Sequence, residues 1–90
     1  MIAKRVDDQF EELADANPEA LLADGLEEAY IGLTVNHHHP VVAVYDYDKC
    51  MRVLMDEGLT DDEASEYLEF NTLGAYVGAN GPLFVRITHG

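Results

Sequence analysis

The side chains able to do chemistry fall in a few places, and their spacing decides how far each can be taken. His37-His38-His39 suggests a metal, and Pro40 follows it inside the fold. Neighbouring side chains of an extended segment point apart, so at most His37 and His39 could share one ion. A third ligand would have to come from Asp46, Asp48 or His89, and zinc spacings such as H-E-x-x-H are absent. The expected role is an exposed polar turn, and no metal or other cofactor is assigned. Cys50, the single cysteine, falls in the first turns of a predicted helix, where the helix dipole favours a thiolate. Asp46 and Asp48 act the other way, and a place on the apolar stripe predicts a buried, inert thiol.

Carboxylate pairs such as Glu66 and Glu69 have the spacing of a helix face, and among eighteen acids such pairs arise readily by chance. There is no G-x-S-x-G and no phosphate-cradling glycine loop. Gly78-Ala79-Asn80-Gly81 follows a predicted helix instead of preceding one, the wrong way round for a phosphate site. Asn71 stands out because it falls on or beside the buried stripe of its helix, where an amide needs partners. The expectation is that Asn71 ties down the Gly78–Pro82 loop. The alternative is a polar site of Glu66, Asn71, Tyr76 and Asn80, serving a small enzyme or ligand-binding domain.

Charge excludes more than the motifs do. Eighteen Asp and Glu against five Lys and Arg give a formal net charge of −13 over 90 residues. A field of that sign repels nucleic-acid phosphates and anionic lipid, so direct binding to either is not expected. It suits a protein partner with a basic surface, and it equally suits solubility or life in high salt. One cysteine makes no internal disulfide, and no apolar run approaches the length of a membrane span. The N-terminus turns acidic before a signal-peptide core could form, so the expected location is the cytoplasm.

The elements that must position these residues are legible in part. Val6, Phe10 and Leu13 have helical spacing and predict a helix over 4–16, ended by Asn17-Pro18. A second short helical turn over 18–24 stops at Gly25. Alternation from Ala29 to Val35 predicts a strand, with Ala29, Ile31, Leu33 and Val35 facing one way. Val41–Tyr45 is unbroken apolar and predicts the central strand of a small sheet, joined to the first as a hairpin. Asp46 or Asp48 caps a helix over 47–57, with Tyr47, Cys50, Met51, Leu54 and Met55 on its stripe. Gly58 ends it. Thr60 and Glu63 then have capping-box spacing, so the next helix runs from Asp61 to about Leu73. Leu83–Thr88 alternates again, with Leu83, Val85 and Ile87 on one face.

The chain therefore reads as one α+β domain, a helical lead-in over 1–24 and a core over 25–90. A three-stranded, mainly antiparallel sheet carries two main helices on one face, besides the N-terminal helix. The outer side of that sheet is expected to show Tyr30, Thr34, Phe84 and Arg86.

An ordered set of motifs adds a resemblance. Asp24-Gly25-Leu26-Glu27-Glu28-Ala29-Tyr30-Ile31-Gly32, Val44-Tyr45-Asp46 with Lys49-Cys50, Glu63-Ala64 through Glu66-Tyr67 and Phe70-Asn71, Gly74 to Gly78, and Pro82-Leu83-Phe84 run through about two-thirds of the chain. In this order they resemble a group of small phage, prophage and bacterial proteins. That group's last loop usually carries a glutamate and a Thr-Pro pair, where Ala79-Asn80-Gly81-Pro82 stands here, so no acidic role is carried over to it. The resemblance implies a phage-related or prokaryotic cytosolic protein and supplies no activity.

The leading expectation is a non-enzymatic accessory protein that binds and inhibits a host or defence protein through its charge, in the manner of nucleic acid. Asp61, Asp62, Glu66 and Glu69 are the expected contacts, with Tyr30 or Tyr47 as aromatic anchors. The remaining alternative is a structural module that oligomerises through an exposed edge strand, Ala29–Val35 or Leu83–Thr88.

Overall fold

The most apolar run of the sequence becomes the middle of the sheet. The computed structural model describes residues 3–5, 10–35, 40–69 and 78–88. Strand β4 (Ala43–Asp46) lies between β3 (Tyr30–Leu33) and β5 (Leu83–Val85) in a three-stranded sheet of order β3-β4-β5. β3 and β4 are antiparallel. Beyond their ladder, Thr34 N–H donates to the Val42 carbonyl and Val42 N–H donates to Thr34 Oγ1, each at 3.0 Å. β5 runs parallel to β4, because the chain between them makes a helical crossover instead of a hairpin. The class is α+β, as expected, with a mixed sheet of one antiparallel and one parallel pair.

The N-terminal lead-in is not purely helical. β1 (Ala3–Arg5) and β2 (Leu21–Ala23) form a separate antiparallel pair, with Ala3 opposite Ala23 and Arg5 opposite Leu21. Of the helix expected over 4–16, Lys4 and Arg5 lie in β1, Glu11–Ala16 form α1 and residues 6–9 lie outside the described ones, while the helical turn expected over 18–24 gives way to β2. Two forces override local propensity. Ala20, Leu22 and Ala23 are all buried, and strand pairing satisfies the backbone groups that enter the core with them. A six-residue helix has little stability of its own, so α1 is held by its buried Leu13 and by Phe10 packing on the core.

The two main helices begin where the sequence says. Asp46 Oδ1 accepts from Lys49 N–H at 3.1 Å and caps α2 (Tyr47–Asp56). Gly58, at φ 108°, takes the left-handed conformation that ends it. Thr60 and Glu63 form a reciprocal capping box, with Glu63 Oε1 accepting from Thr60 N–H at 2.8 Å and Thr60 Oγ1 from Glu63 N–H at 3.2 Å. α3 (Asp61–Leu68) buries Ala64 and Leu68. The residues expected to extend it, 70–73, lie outside the described ones. α2 packs on α3, on β4 and on a 3-10 turn at Glu27–Ala29, which takes Ala29 out of the first strand.

The faces of the sheet differ from the alternation read in the sequence. Phe84 and Tyr30 pack against the core, while Leu83, Val85 and Ile87 are 50%, 38% and 42% exposed. In β5 the parity is set by Phe84, whose ring stacks on buried Tyr45 with centroids 5.4 Å apart. An aromatic ring buries more area than an aliphatic side chain, so it takes the core side. In β3 a bulge between Tyr30 and Gly32 shifts the register, and Tyr30 and Leu33, three residues apart, both reach the core. Ile31 and Val35 are left 47% and 92% exposed. Among the described residues no helix is long and apolar enough to cross a membrane.

Candidate functional site

The site with the most definite chemistry is the solvent side of the α2–α3 hairpin. From Val53 to Val85 the chain has no Lys or Arg and seven carboxylates: Asp56, Glu57, Asp61, Asp62, Glu63, Glu66 and Glu69. All seven are exposed. Asp62, Glu66 and Glu69 fall at i, i+4 and i+7, forming one stripe opposite the buried Ala64 and Leu68. Asp61 stands in the first turn, off that stripe, where its charge favours the positive end of the helix. Glu63 is engaged in the capping box.

Carboxylate charge also reaches a half-buried tyrosine on this hairpin. Half-buried Tyr67 on α3 has its phenol pushed up by burial and then by the charges of Glu57 and Asp24. Glu57 follows α2 and Asp24 follows β2, so the charges felt by Tyr67 come from two places in the chain. An exposed stretch of one sign attracts a cationic surface.

The two candidate anchors are placed differently from each other. Tyr47 lies half-buried at the start of α2, under the Arg86 guanidinium at 5.2 Å from its ring centre. Arg86 Nε also stands 3.4 Å from Asp48 Oδ1, an exposed pair of little energetic weight. Tyr30, expected on the outer face, instead sits edge-on between Phe10 and Tyr45, at 4.8 and 5.7 Å between ring centres. Its phenol is pushed up by burial and then by Glu12. Tyr30 therefore belongs to an aromatic row, Phe10–Tyr30–Tyr45–Phe84, that runs across the core.

The polar cluster around Asn80 is built on Asn17, whose place before Pro18 marks the end of one helix and a cap for the turn that follows. Asn17 Nδ2 donates to the Val41 carbonyl at 2.8 Å and to Asn80 Oδ1 at 2.9 Å. Asn17 Oδ1 accepts from Glu19 N–H at 3.0 Å, so the whole amide is satisfied. Leu21 N–H donates to the Asn80 carbonyl at 3.0 Å. Asn17 and Leu21 thus tie down the last loop, the task expected of Asn71. Asn71 and Tyr76 lie outside the described residues, and Glu66 is exposed on α3. The only local sign was Asn17-Pro18, which marks a turn and carries no information about partners 24 and 63 positions away.

Cys50 is fully buried, and burial, then Asp46, pushes its thiol up to about 12. That is an inert packing thiol at neutral pH. Among the described residues no three His, Cys, Asp or Glu side chains are grouped to hold a metal ion. His37 and His39 lie outside those residues. Compared with known proteins, the chain matches no family model, no curated protein and no solved structure.

Proposed function

We propose that this chain is a small acidic binding protein that covers a basic surface of a partner protein, and that it inhibits the partner by taking the place of nucleic acid there. The observation that carries this reading is the stretch from the end of α2 through α3, where seven exposed carboxylates follow Arg52 with no Lys or Arg among them. Asp61, Asp62, Glu66 and Glu69 are the proposed contacts, and Tyr47 the aromatic anchor nearest the start of the same hairpin. The charged stripe supplies attraction and orientation, while the rigidity of two capped helices limits the entropy lost on binding. A phage-related setting, with a host or defence protein as target in the cytoplasm, rests on the motif resemblance alone.

The test compares capture by the wild-type chain with capture by a variant carrying Asp61→Asn, Asp62→Asn, Glu66→Gln and Glu69→Gln. A stoichiometric partner is expected to bind the wild type, to be lost as salt rises, and to be displaced by nucleic acid. Retention of the same partner by the neutralised variant, or in high salt, would sink the charge-based reading.

A further inference from the structure

Asn80 is followed by Gly81, and the two sit in a turn closed by Gly81 N–H donating to the Gly78 carbonyl at 3.2 Å. Both residues are partly exposed. An asparagine before glycine is the dipeptide in which the next backbone nitrogen most easily reaches the side-chain carbonyl carbon, because position 81 has no side chain to shield it. We propose that Asn80 is a site of spontaneous deamidation, and that its contacts with Asn17 and Leu21 decide when the reaction occurs.

The chemistry is self-contained. Gly81 N, losing its proton to solvent base, forms a bond to Asn80 Cγ, and the Cγ–Nδ2 bond breaks to release ammonia. Water then opens the five-membered imide at either carbonyl, giving aspartate or isoaspartate at position 80. The sum is loss of ammonia and gain of water, with no oxidant or reductant.

In the folded chain three contacts oppose the first step. Asn80 Oδ1 accepts from Asn17 Nδ2–H, the Asn80 carbonyl accepts from Leu21 N–H, and Gly81 N–H is engaged by Gly78. Together they fix the side chain, the main chain before the attacking nitrogen and the nitrogen itself. Lifting the 78–81 loop away from Asn17 and Leu21 frees the first two at once, so local opening is the gate. In the isoaspartyl product the link to Gly81 runs through Cβ and Cγ, one methylene longer, and the carbonyl that accepts from Leu21 N–H becomes a free carboxylate outside the main chain. The loop then no longer re-docks in its original register.

The experiment incubates the full wild-type chain in mildly alkaline buffer, with and without guanidinium, and follows the proteolytic peptide that carries Asn80 by mass spectrometry and isoaspartate detection. Conversion at Asn80 is expected in denaturant and to be slower by about tenfold or more in the folded chain. Gly81→Ala should suppress it in denaturant. Asn17→Asp, which keeps the acceptor for Glu19 N–H but loses the donor to Asn80 and to the Val41 carbonyl, should raise the rate in native buffer. Circular dichroism on that variant separates local opening from global unfolding. Absence of conversion at Asn80 in denaturant overturns the site, and equal rates in folded and unfolded wild-type chain overturn the gate.

Discussion

Tyr45→Phe removes one oxygen atom from the centre of this protein and should cost more than its size suggests. Tyr45 is fully buried on the central strand, and its hydroxyl accepts from Ala23 N–H at 2.9 Å. Ala23 is itself fully buried on β2, so this one bond fastens the N-terminal sheet to the main one. The substitution keeps the ring, its stacking on Phe84 and its edge contact with Tyr30. What it leaves is a buried N–H without its acceptor, a loss of about 1–3 kcal/mol. For a chain of this length each 1 kcal/mol lowers Tm by roughly 4–8 °C, so a shift of about 8–16 °C is expected for the middle of that range. Urea denaturation is the assay, read at constant m so that the change belongs to the folded state. Tyr45→Leu provides the scale, because it removes the ring contacts as well and should cost more. A Tyr45→Phe variant within about 0.5 kcal/mol of wild type would refute the reasoning, since that is the range of an ordinary surface substitution.

Alkaline pH should weaken the fold, with Cys50 and Tyr45 the largest contributors and Tyr30 and Tyr67 adding in the same direction. Burial pushes Cys50 from its ordinary 9.0, and Tyr45 from 10.0, up to about 12 in each case. Both groups hold their protons more tightly when folded, so their contribution is complete below pH 9.0 and lost as pH rises through about 12. Stability measured by denaturation across that range should fall, and Cys50→Ala should move the start of the fall toward 10.0, the ordinary value for Tyr45. A flat profile would mean that neither group is buried as described. Thr60→Ala should cost about 1 kcal/mol by removing the acceptor for Glu63 N–H, with Thr60→Ser largely restoring it in the same denaturation assay.

The parts of the fold legible in the sequence are those that depend on neighbours along the chain. Asp46 before Tyr47, Gly58, and the Thr60–Glu63 spacing act within one helical turn, so they marked where α2 and α3 begin and where α2 ends. The unbroken run Val41–Tyr45 marked the central strand, since only a covered strand tolerates apolar residues on both faces. Net charge, the acidic hairpin and the burial of Cys50 were equally open to reading, because composition and helical period fix them.

What tertiary structure decided is every choice made between distant partners. Ala3–Arg5 and Leu21–Ala23 became strands because each found the other, a pairing that no local propensity encodes. Phe84 turned inward because Tyr45 offered a ring to stack on, and the bulge at Ile31 let Tyr30 and Leu33 reach one core. Asn17 looked like a helix end and the cap of the next turn, and its amide also holds Val41 and Asn80. Local rules set where elements begin and end; burial of large rings and satisfaction of buried polar groups chose which faces and which ends meet.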